Sequence, residues 1–276
     1  MTAQAVRHAP AGLAAPGVVL SGVLRSERRA LALWAASVAG VTAMYTAFYP
    51  SIGGVKLEVM MDSMPPALIE AMGLEAMASA AGYVAATVFT LVGLILPLVA
   101  VIGVGARLIA GQEEDTTLEL ELGAPVTRVR VYAERLAAVW FVALVLAATV
   151  TGLLMLLSPA MDLGLDLGNL ATAGVGYLLY VGMLGTVAFG VGAATGRRGV
   201  ALGVASGVAV LGYLLAYIGP LAELDWMEDV SPFGWYTAAD PLITGEGWGG
   251  FALLLLLAAI VAALGLARFT RRDLTV

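Results

Sequence analysis

The chain contains no cysteine, one histidine and one lysine among its 276 residues. Without cysteine it can form neither disulfides nor thiolate metal sites, and it has no cysteine nucleophile. The single histidine, His8, cannot build a zinc site of the His-Glu-x-x-His kind, and it lies in the N-terminal tail, far along the chain from any candidate serine nucleophile. The single lysine, Lys56, stands between Val55 and Leu57 rather than in a Gly-Lys-Ser/Thr sequence, so the sequence contains no P-loop for ATP. These absences argue against hydrolase and ATPase activity in the chain itself.

Charged residues are also scarce. They make up 12% of the chain, against 61% hydrophobic residues, and the mean hydropathy is +0.94. A soluble domain carries about 25% charged residues, so this composition indicates an integral membrane protein surrounded by membrane lipid. The sequence has no basic run of the kind that binds nucleic acid. Arginine outnumbers lysine 13 to 1 and alanine is abundant, which is typical of a prokaryote with a high-GC genome.

Six apolar runs have the length of a membrane-spanning helix, about 20 residues. The predicted spans are Ala30–Tyr49, Gly82–Ala106, Leu136–Ser158, Leu170–Thr195, Gly199–Gly219 and Gly249–Ala267. Pro97, inside the second run, predicts a kink because proline removes one backbone donor. None of the six runs contains Asp, Glu, Lys, Arg or His. Ion-coupled carriers usually hold such a residue within the membrane, so a secondary transporter is disfavoured, although backbone carbonyls can also bind sodium.

The arginines predict the orientation of the six spans. Thirteen of the 14 basic residues fall in the N-terminal tail, in the second and fourth loops and at the C-terminus, which leaves only Lys56 on the other side. Basic residues concentrate in the cytoplasmic loops of membrane proteins. Both termini are therefore expected in the cytoplasm.

The N-terminal residues precede the first span. A basic residue ahead of an apolar stretch suggests a signal peptide, but Pro10 and Pro16 interrupt the stretch, and it ends in arginines rather than a small-residue cleavage site. Gly17–Arg29 instead predicts an interfacial helix, with apolar residues on one side and arginines toward the lipid headgroups. The predicted division is thus a cytoplasmic tail and interfacial helix at 1–29 and a six-helix transmembrane domain at 30–276.

The segment Arg107–Arg135, between the second and third spans, is the only long and densely charged stretch. It holds six acidic and four basic residues. Such a segment cannot lie within a bilayer, where each central charge costs about 2.5–3.5 kcal/mol. It is therefore predicted to stand on the cytoplasmic face of the membrane, either as a solvated loop or as a docking platform for a soluble partner.

Glycines recur at four-residue spacing in and between the fourth and fifth spans. They are Gly192, Gly196, Gly199, Gly203 and Gly207. Small residues at this spacing let two helix backbones approach closely. Internal helix packing is the usual meaning of the pattern, and dimerisation through this face is the alternative.

The charged segment also carries a family resemblance. The run Gly111–Leu120, GQEEDTTLEL, and the turn Ala124–Arg128, APVTR, resemble the motifs that follow the second span of ABC-2 type permeases. Two later motifs, SPFGWY from Ser231 and FTRRDL from Phe269, also resemble motifs of these permeases and occur in the same order and spacing. The resemblance therefore covers essentially the whole chain. One departure is Thr116, which stands where the family usually has glycine.

With the six predicted spans, the resemblance implies an all-α integral membrane protein with an interfacial N-terminal helix and a short cytoplasmic coupling helix after the second span. It further implies a non-catalytic permease subunit of an ATP-driven exporter in a prokaryotic cell membrane, binding no cofactor itself. Its expected partners are a second permease copy, in a homodimer or heterodimer, and separate ABC ATPase subunits that bind ATP and magnesium. The ATPase-coupling residues expected from the motifs are Glu113, Glu114, Thr117, Leu118, Pro125 and Arg128.

The uncharged spans favour a hydrophobic or amphipathic substrate over a bare ion. Two other classes of function remain open on this sequence. One is a secondary transporter that uses backbone carbonyls as ion sites. The other is a membrane assembly or sensor subunit that transports nothing.

Overall fold

The computed structural model describes residues 18–52, 59, 61–65, 77–115, 127–224 and 226–272. Within these ranges the regular secondary structure is helical throughout. Six of the helices found there are long and apolar enough to cross a membrane, which confirms the predicted all-α fold with six transmembrane helices.

The six helices are called spans 1 to 6. Their bounds are Val18–Ile52, Ala80–Glu114, Arg128–Ala160, Leu167–Thr195, Arg198–Leu221 and Trp248–Arg271. Three short helices, Trp226–Asp229, Pro232–Thr237 and Pro241–Thr244, lie between spans 5 and 6. Most spans extend beyond the predicted apolar runs, because hydropathy marks only the apolar part of a helix while the backbone hydrogen bonds continue into polar residues.

The predicted N-terminal helix continues into the first span without a break. Span 1 is one helix of 35 residues, and the charged stretch 25–30 inside it consists mainly of good helix formers. Its first turn is held by span 3, since the backbone N–H of Leu20 donates to Glu134 Oε2 at 3.0 Å. This contact satisfies one of the donors that a helix start leaves unpaired.

Span 2 is irregular at two places. A regular helix, Val92–Ala106, is flanked by π-helical turns at Ala85–Thr90 and Arg107–Gly111. Such turns are rare and occur mostly as single turns within α-helices, frequently at functional sites. Each interrupts the regular hydrogen-bond ladder, so carbonyl groups nearby need other donors.

Tyrosine hydroxyls satisfy two carbonyls of span 2. Pro97 has no N–H to give to the carbonyl of Gly93, and the hydroxyl of Tyr177 donates to that oxygen at 2.6 Å. The hydroxyl of Tyr236 donates to the carbonyl of Phe89, in the first π-helical turn, at 3.0 Å. Side chains of span 4 and of the short helix Pro232–Thr237 thus stabilise the irregular backbone, as a membrane interior requires.

Span 4 is the central helix of the bundle. It packs against spans 2, 3, 5 and 6, and side chains along its whole length, such as Tyr177, Met183 and Phe189, are fully buried. Span 1 packs against spans 2 and 3 at the edge. Spans 1, 5 and 6 keep exposed apolar side chains, which is the composition expected of helix faces that meet lipid.

Candidate functional site

The ends of spans 2 to 6 meet at one end of the bundle, where charged side chains join them. This charged end is defined by Glu113, Glu114, Asp115, Arg128, Arg135, Arg198 and Arg272. The first five belong to the segment predicted to be a solvated loop or a docking platform, while Arg198 starts span 5 and Arg272 follows span 6 directly.

A buried ion pair between Glu113 and Arg272 joins the last turn of span 2 to the end of span 6. Arg272 Nη1 donates to Glu113 Oε1 at 2.6 Å, and Nη2 donates to Oε2, so the pair is bidentate. Arg272 Nε also donates to the carbonyl of Ala193 on span 4, at 3.1 Å. The side chain of Glu113 is only 5% exposed, and a carboxylate so buried is stable only when paired and hydrogen-bonded.

Gly196 leaves room for this ion pair. It ends span 4 in the left-handed region at φ +68°, and its N–H donates to the carbonyl of Gly192 at 2.8 Å. A Cβ at this position would lie 2.7 Å from Arg272 Nη1 and 2.8 Å from Glu113 Oε1. Glycine is therefore required twice here, for the helix cap and for the space beside the ions.

Arg128, at the start of span 3, caps the end of span 6. Its Nη1 donates to the carbonyl oxygens of Arg272 at 2.8 Å and Phe269 at 3.3 Å. These carbonyls have no partner within the helix, and the negative end of the helix dipole favours a cation there.

Glu114 has the complementary role at the start of span 5. Its Oε1 accepts a hydrogen bond from the backbone N–H of Arg198 at 2.8 Å. Arg197, the residue before span 5, gives no side-chain cap, so an acid from span 2 supplies one instead. Glu114 is exposed, as is its neighbour Asp115.

Arg135 is completely buried where span 3 crosses the second π-helical turn. Its Nη1 donates to the carbonyl of Leu108 at 2.5 Å, and its Nη2 donates to Gln112 Oε1. A buried arginine thus stabilises the π-helical turn Arg107–Gly111 and ties it to span 3.

Three of the six predicted coupling residues, Glu113, Glu114 and Arg128, come together at the charged end. Glu113 is buried and binds within the chain, whereas Glu114 is exposed. The other three, Thr117, Leu118 and Pro125, lie outside the described residues, together with the predicted coupling helix.

Sequence reasoning assigned no role to Arg135 or Arg272. Arg272 did lie in one of the quoted motifs, FTRRDL, but nothing in the sequence indicated a partner 159 positions away.

The five glycines singled out by their spacing occupy different settings. A Cβ on Gly192 would lie 3.3 Å from the Cβ of Ala110 and 3.5 Å from that of Ala201, so Gly192 is packed between spans 2 and 5. Gly196 is the helix cap described above. The remaining three, Gly199, Gly203 and Gly207, have no atom of the described chain within 4 Å of a Cβ placed on them.

An aromatic cluster lies toward the opposite end of the bundle. Ser231 Oγ caps the helix Pro232–Thr237 by accepting from two backbone N–H groups, and it donates to the carbonyl of Gly212 on span 5 at 2.6 Å. The ring of Tyr236 from that helix stacks on Tyr180 of span 4, with centroids 5.2 Å apart. The motif SPFGWY thus anchors the loop between spans 5 and 6 onto the bundle.

Beside this cluster is an apolar cavity of about 330 Å³ between spans 2 and 5. It is lined by Leu94, Leu98, Tyr180, Tyr213 and Phe233, among others. The lining is almost wholly apolar, so the cavity suits a hydrophobic group.

A second, more polar cavity of about 440 Å³ adjoins the loop after span 5. Glu228 and Asp240 are among its lining residues. Burial raises the pKa of the Asp240 carboxyl, whose backbone is held in the left-handed region at φ +46°. Among the described residues, no group of three or more His, Cys, Asp or Glu side chains is placed to hold a metal ion.

A comparison with protein families places this bundle among transporters. The family described as "Multidrug efflux system permease Rv1217c, C-terminal domain" matches residues 19–270. The chain belongs to this family. No curated protein matches it. Family membership and the six apolar helices together support a multi-pass membrane transport permease.

Proposed function

We propose that this efflux-family permease is the membrane subunit of an ABC exporter of the ABC-2 type, in a prokaryotic plasma membrane. The observation that carries the proposal is the charged end, where the ends of spans 2 to 6 are joined by residues that include both ends of the sequence stretch resembling the ABC-2 coupling motif. The sequence has no P-loop, so the energy for export comes from separate ABC ATPase subunits that bind ATP and magnesium.

The exposed acids at the charged end are the groups that an ATPase contacts. Glu114 and Asp115 are exposed at the end of span 2, directly before the segment 116–126. Behind them, Glu113 anchors the end of span 2 to spans 4 and 6 through Arg272. A force on this end is therefore passed to several spans at once, because rigid helices joined by ion pairs move together.

The substrate pathway is expected at the interface of two permease copies, in a homodimer or heterodimer. Apolar cavity walls such as Tyr180 and Phe233 favour a hydrophobic or amphipathic substrate, as do spans without central charges. Gly199, Gly203 and Gly207 form a face of span 5 that no other described residue covers, and a second helix could approach it closely.

Charge reversal at the charged end tests the proposal. Glu114→Lys with Asp115→Lys reverses two exposed charges and leaves the buried Glu113 intact. At a docking surface a reversed charge meets a like charge and can cost several kcal/mol. Glu114 also caps the start of span 5, so Asp115→Lys alone, which leaves that cap intact, accompanies the double variant. We expect both variants to fold but to lose the P-loop ATPase that co-purifies with the tagged wild-type chain, and to lose ATP-driven transport in reconstituted vesicles.

The matched control reverses two exposed acids near the opposite end, Asp62→Lys with Glu246→Lys. Surface substitutions of this kind usually change stability by no more than about 0.5 kcal/mol, so the control should keep both the ATPase and transport. If the Glu114/Asp115 variant also keeps them, the charged end is not a docking surface and the proposal is wrong.

A further inference from the structure

The two flanks of the segment 116–126 both bind the same residue, Arg272. On the near side, the carboxylate of Glu113 accepts two hydrogen bonds from the Arg272 guanidinium. On the far side, Arg128 Nη1 donates to the backbone carbonyl of Arg272 at 2.8 Å. One residue at the end of span 6 therefore connects the end of span 2 to the start of span 3.

The surroundings of Arg272 fix this connection in space. Its Nε donates to the carbonyl of Ala193 near the end of span 4, and Gly196 provides room for the ion pair. Its neighbour Arg271 is exposed, whereas Arg272 is partly buried and paired with Glu113. Only a guanidinium can donate two parallel bonds to a carboxylate and a third to a carbonyl, which a lysine ammonium cannot reproduce.

We infer that Arg272 is a positioning residue for the coupling segment, which it clamps by holding the Glu113 and Arg128 flanks at a fixed separation. The clamp lowers the entropy cost of holding the ends of the 11-residue segment together, because those ends are already fixed. Spans 2 and 3 have a second link through Arg135, but that link acts on Leu108 and Gln112, before the last residues of span 2. The role of the segment in coupling rests on the proposed function, whereas the clamp itself does not.

The absence of cysteine in the chain makes a direct distance measurement possible. Asp115→Cys and Val129→Cys place one nitroxide spin label on each flank, at exposed positions. Pulsed electron double resonance on the full chain in lipid nanodiscs then gives the distribution of distances between the labels. We expect a narrow distribution in the otherwise unchanged chain and a distribution about twofold broader in Arg272→Ala, because the flanks gain local freedom.

Three further variants make the result specific. Arg271→Ala is the matched control, one position away, and should leave the distribution narrow. Arg272→Lys keeps the charge without the fork of donors and should broaden it. Glu113→Gln keeps the shape of the side chain and removes its charge, so it tests the same ion pair if Arg272→Ala does not fold. If the distance distribution is as narrow in Arg272→Ala and in Glu113→Gln as in the unchanged chain, the clamp proposal is wrong.

A second readout connects the clamp to transport. With its co-purified ATPase in vesicles, Arg272→Ala is expected to lose about tenfold in transport per ATP hydrolysed, which is the range of an energetic coupling between sites. Arg271→Ala should keep the wild-type ratio. If the wild-type chain brings no ATPase with it but the distances respond as expected, the proposed function fails and the clamp stands. If the ATPase co-purifies but the label distances do not respond to the variants, the clamp fails and the proposed function stands.

Discussion

At the scale of single residues, side chains that donate to helix carbonyls allow span 2 to depart from regular geometry. Tyr177 reaches Gly93, Tyr236 reaches Phe89, and Arg135 reaches Leu108. A buried carbonyl left without a donor costs free energy, and a membrane supplies no water to replace one. The irregular turns and their donors therefore depend on each other.

The first prediction removes one such donor. Tyr177→Phe deletes a hydroxyl that is fully buried against Gly93 and changes nothing else in shape. We expect the free energy of unfolding to fall by about 1–3 kcal/mol, the usual cost of an unsatisfied buried acceptor. Thermal unfolding in detergent measures the change. The control is Tyr45→Phe in span 1. The Tyr45 hydroxyl makes no hydrogen bond with the described residues, so its loss should leave the midpoint unchanged. A Tyr177→Phe midpoint equal to that of the unchanged chain would show that the bond contributes nothing.

At the scale of helices, spans 2 and 4 touch through their backbones. A Cβ on Gly105 of span 2 would overlap the carbonyl oxygen of Gly185, and a Cβ on Gly185 would overlap Val101. Small residues at such a crossing let the two helices pack at backbone distance. The central position of span 4 depends on this contact.

The second prediction compares two glycines on one helix. Gly105→Ala forces a methyl group against a backbone oxygen that cannot move aside, so it should destabilise the protein by about 1–3 kcal/mol. Gly103→Ala, two residues earlier, meets nothing within 4 Å of the described chain and should be neutral or slightly stabilising, since alanine favours helix. Folded yield and thermal midpoint measure both. Equal thermal midpoints for the two variants would mean that the close approach of Gly105 to Gly185 does not decide the outcome.

The glycine pattern illustrates what sequence can and cannot predict at this scale. Four-residue spacing drew attention to Gly199, Gly203 and Gly207, yet within the described chain these face open space. The tight backbone contact is instead at Gly105 and Gly185. Four-residue spacing of glycines indicates a helix face without side chains. Which helix packs against that face depends on the position of the helix in the bundle, and span 5 lies at the periphery.

At the scale of the whole molecule, the number and order of the spans followed directly from the sequence. A run of about 20 apolar residues usually forms a membrane-spanning helix, so length and hydropathy are enough to predict each span. Of the charged segment, the described residues Glu113, Glu114, Arg128 and Arg135 bind at the end of the bundle where the spans are joined. The pairing of Glu113 with Arg272 was not predictable, because it requires knowing that the end of span 6 meets the end of span 2.

Orientation is the property of the whole molecule on which the proposed function depends. Thirteen of 14 basic residues lie near the N-terminus, near the C-terminus, or at and between the ends where span 2 leads to span 3 and span 4 leads to span 5. Basic residues favour the cytoplasmic side. An ATPase can reach the charged end only from that side. The cysteine-free chain again allows a clean test, with Asp115→Cys and Glu246→Cys as single exposed thiols near opposite ends.

The third prediction concerns which thiol an impermeant maleimide reaches in spheroplasts. Glu246→Cys should react from outside in intact spheroplasts, whereas Asp115→Cys should react only after the membrane is permeabilised. The charge bias predicts this arrangement because short segments rich in Lys and Arg are retained on the cytoplasmic side of the membrane, whereas acidic residues have little effect on orientation. Reaction of Asp115→Cys in intact spheroplasts, with Glu246→Cys protected, would place the charged end outside. No ATPase could then dock there, and the coupling proposed for Glu114 and Asp115 would be impossible.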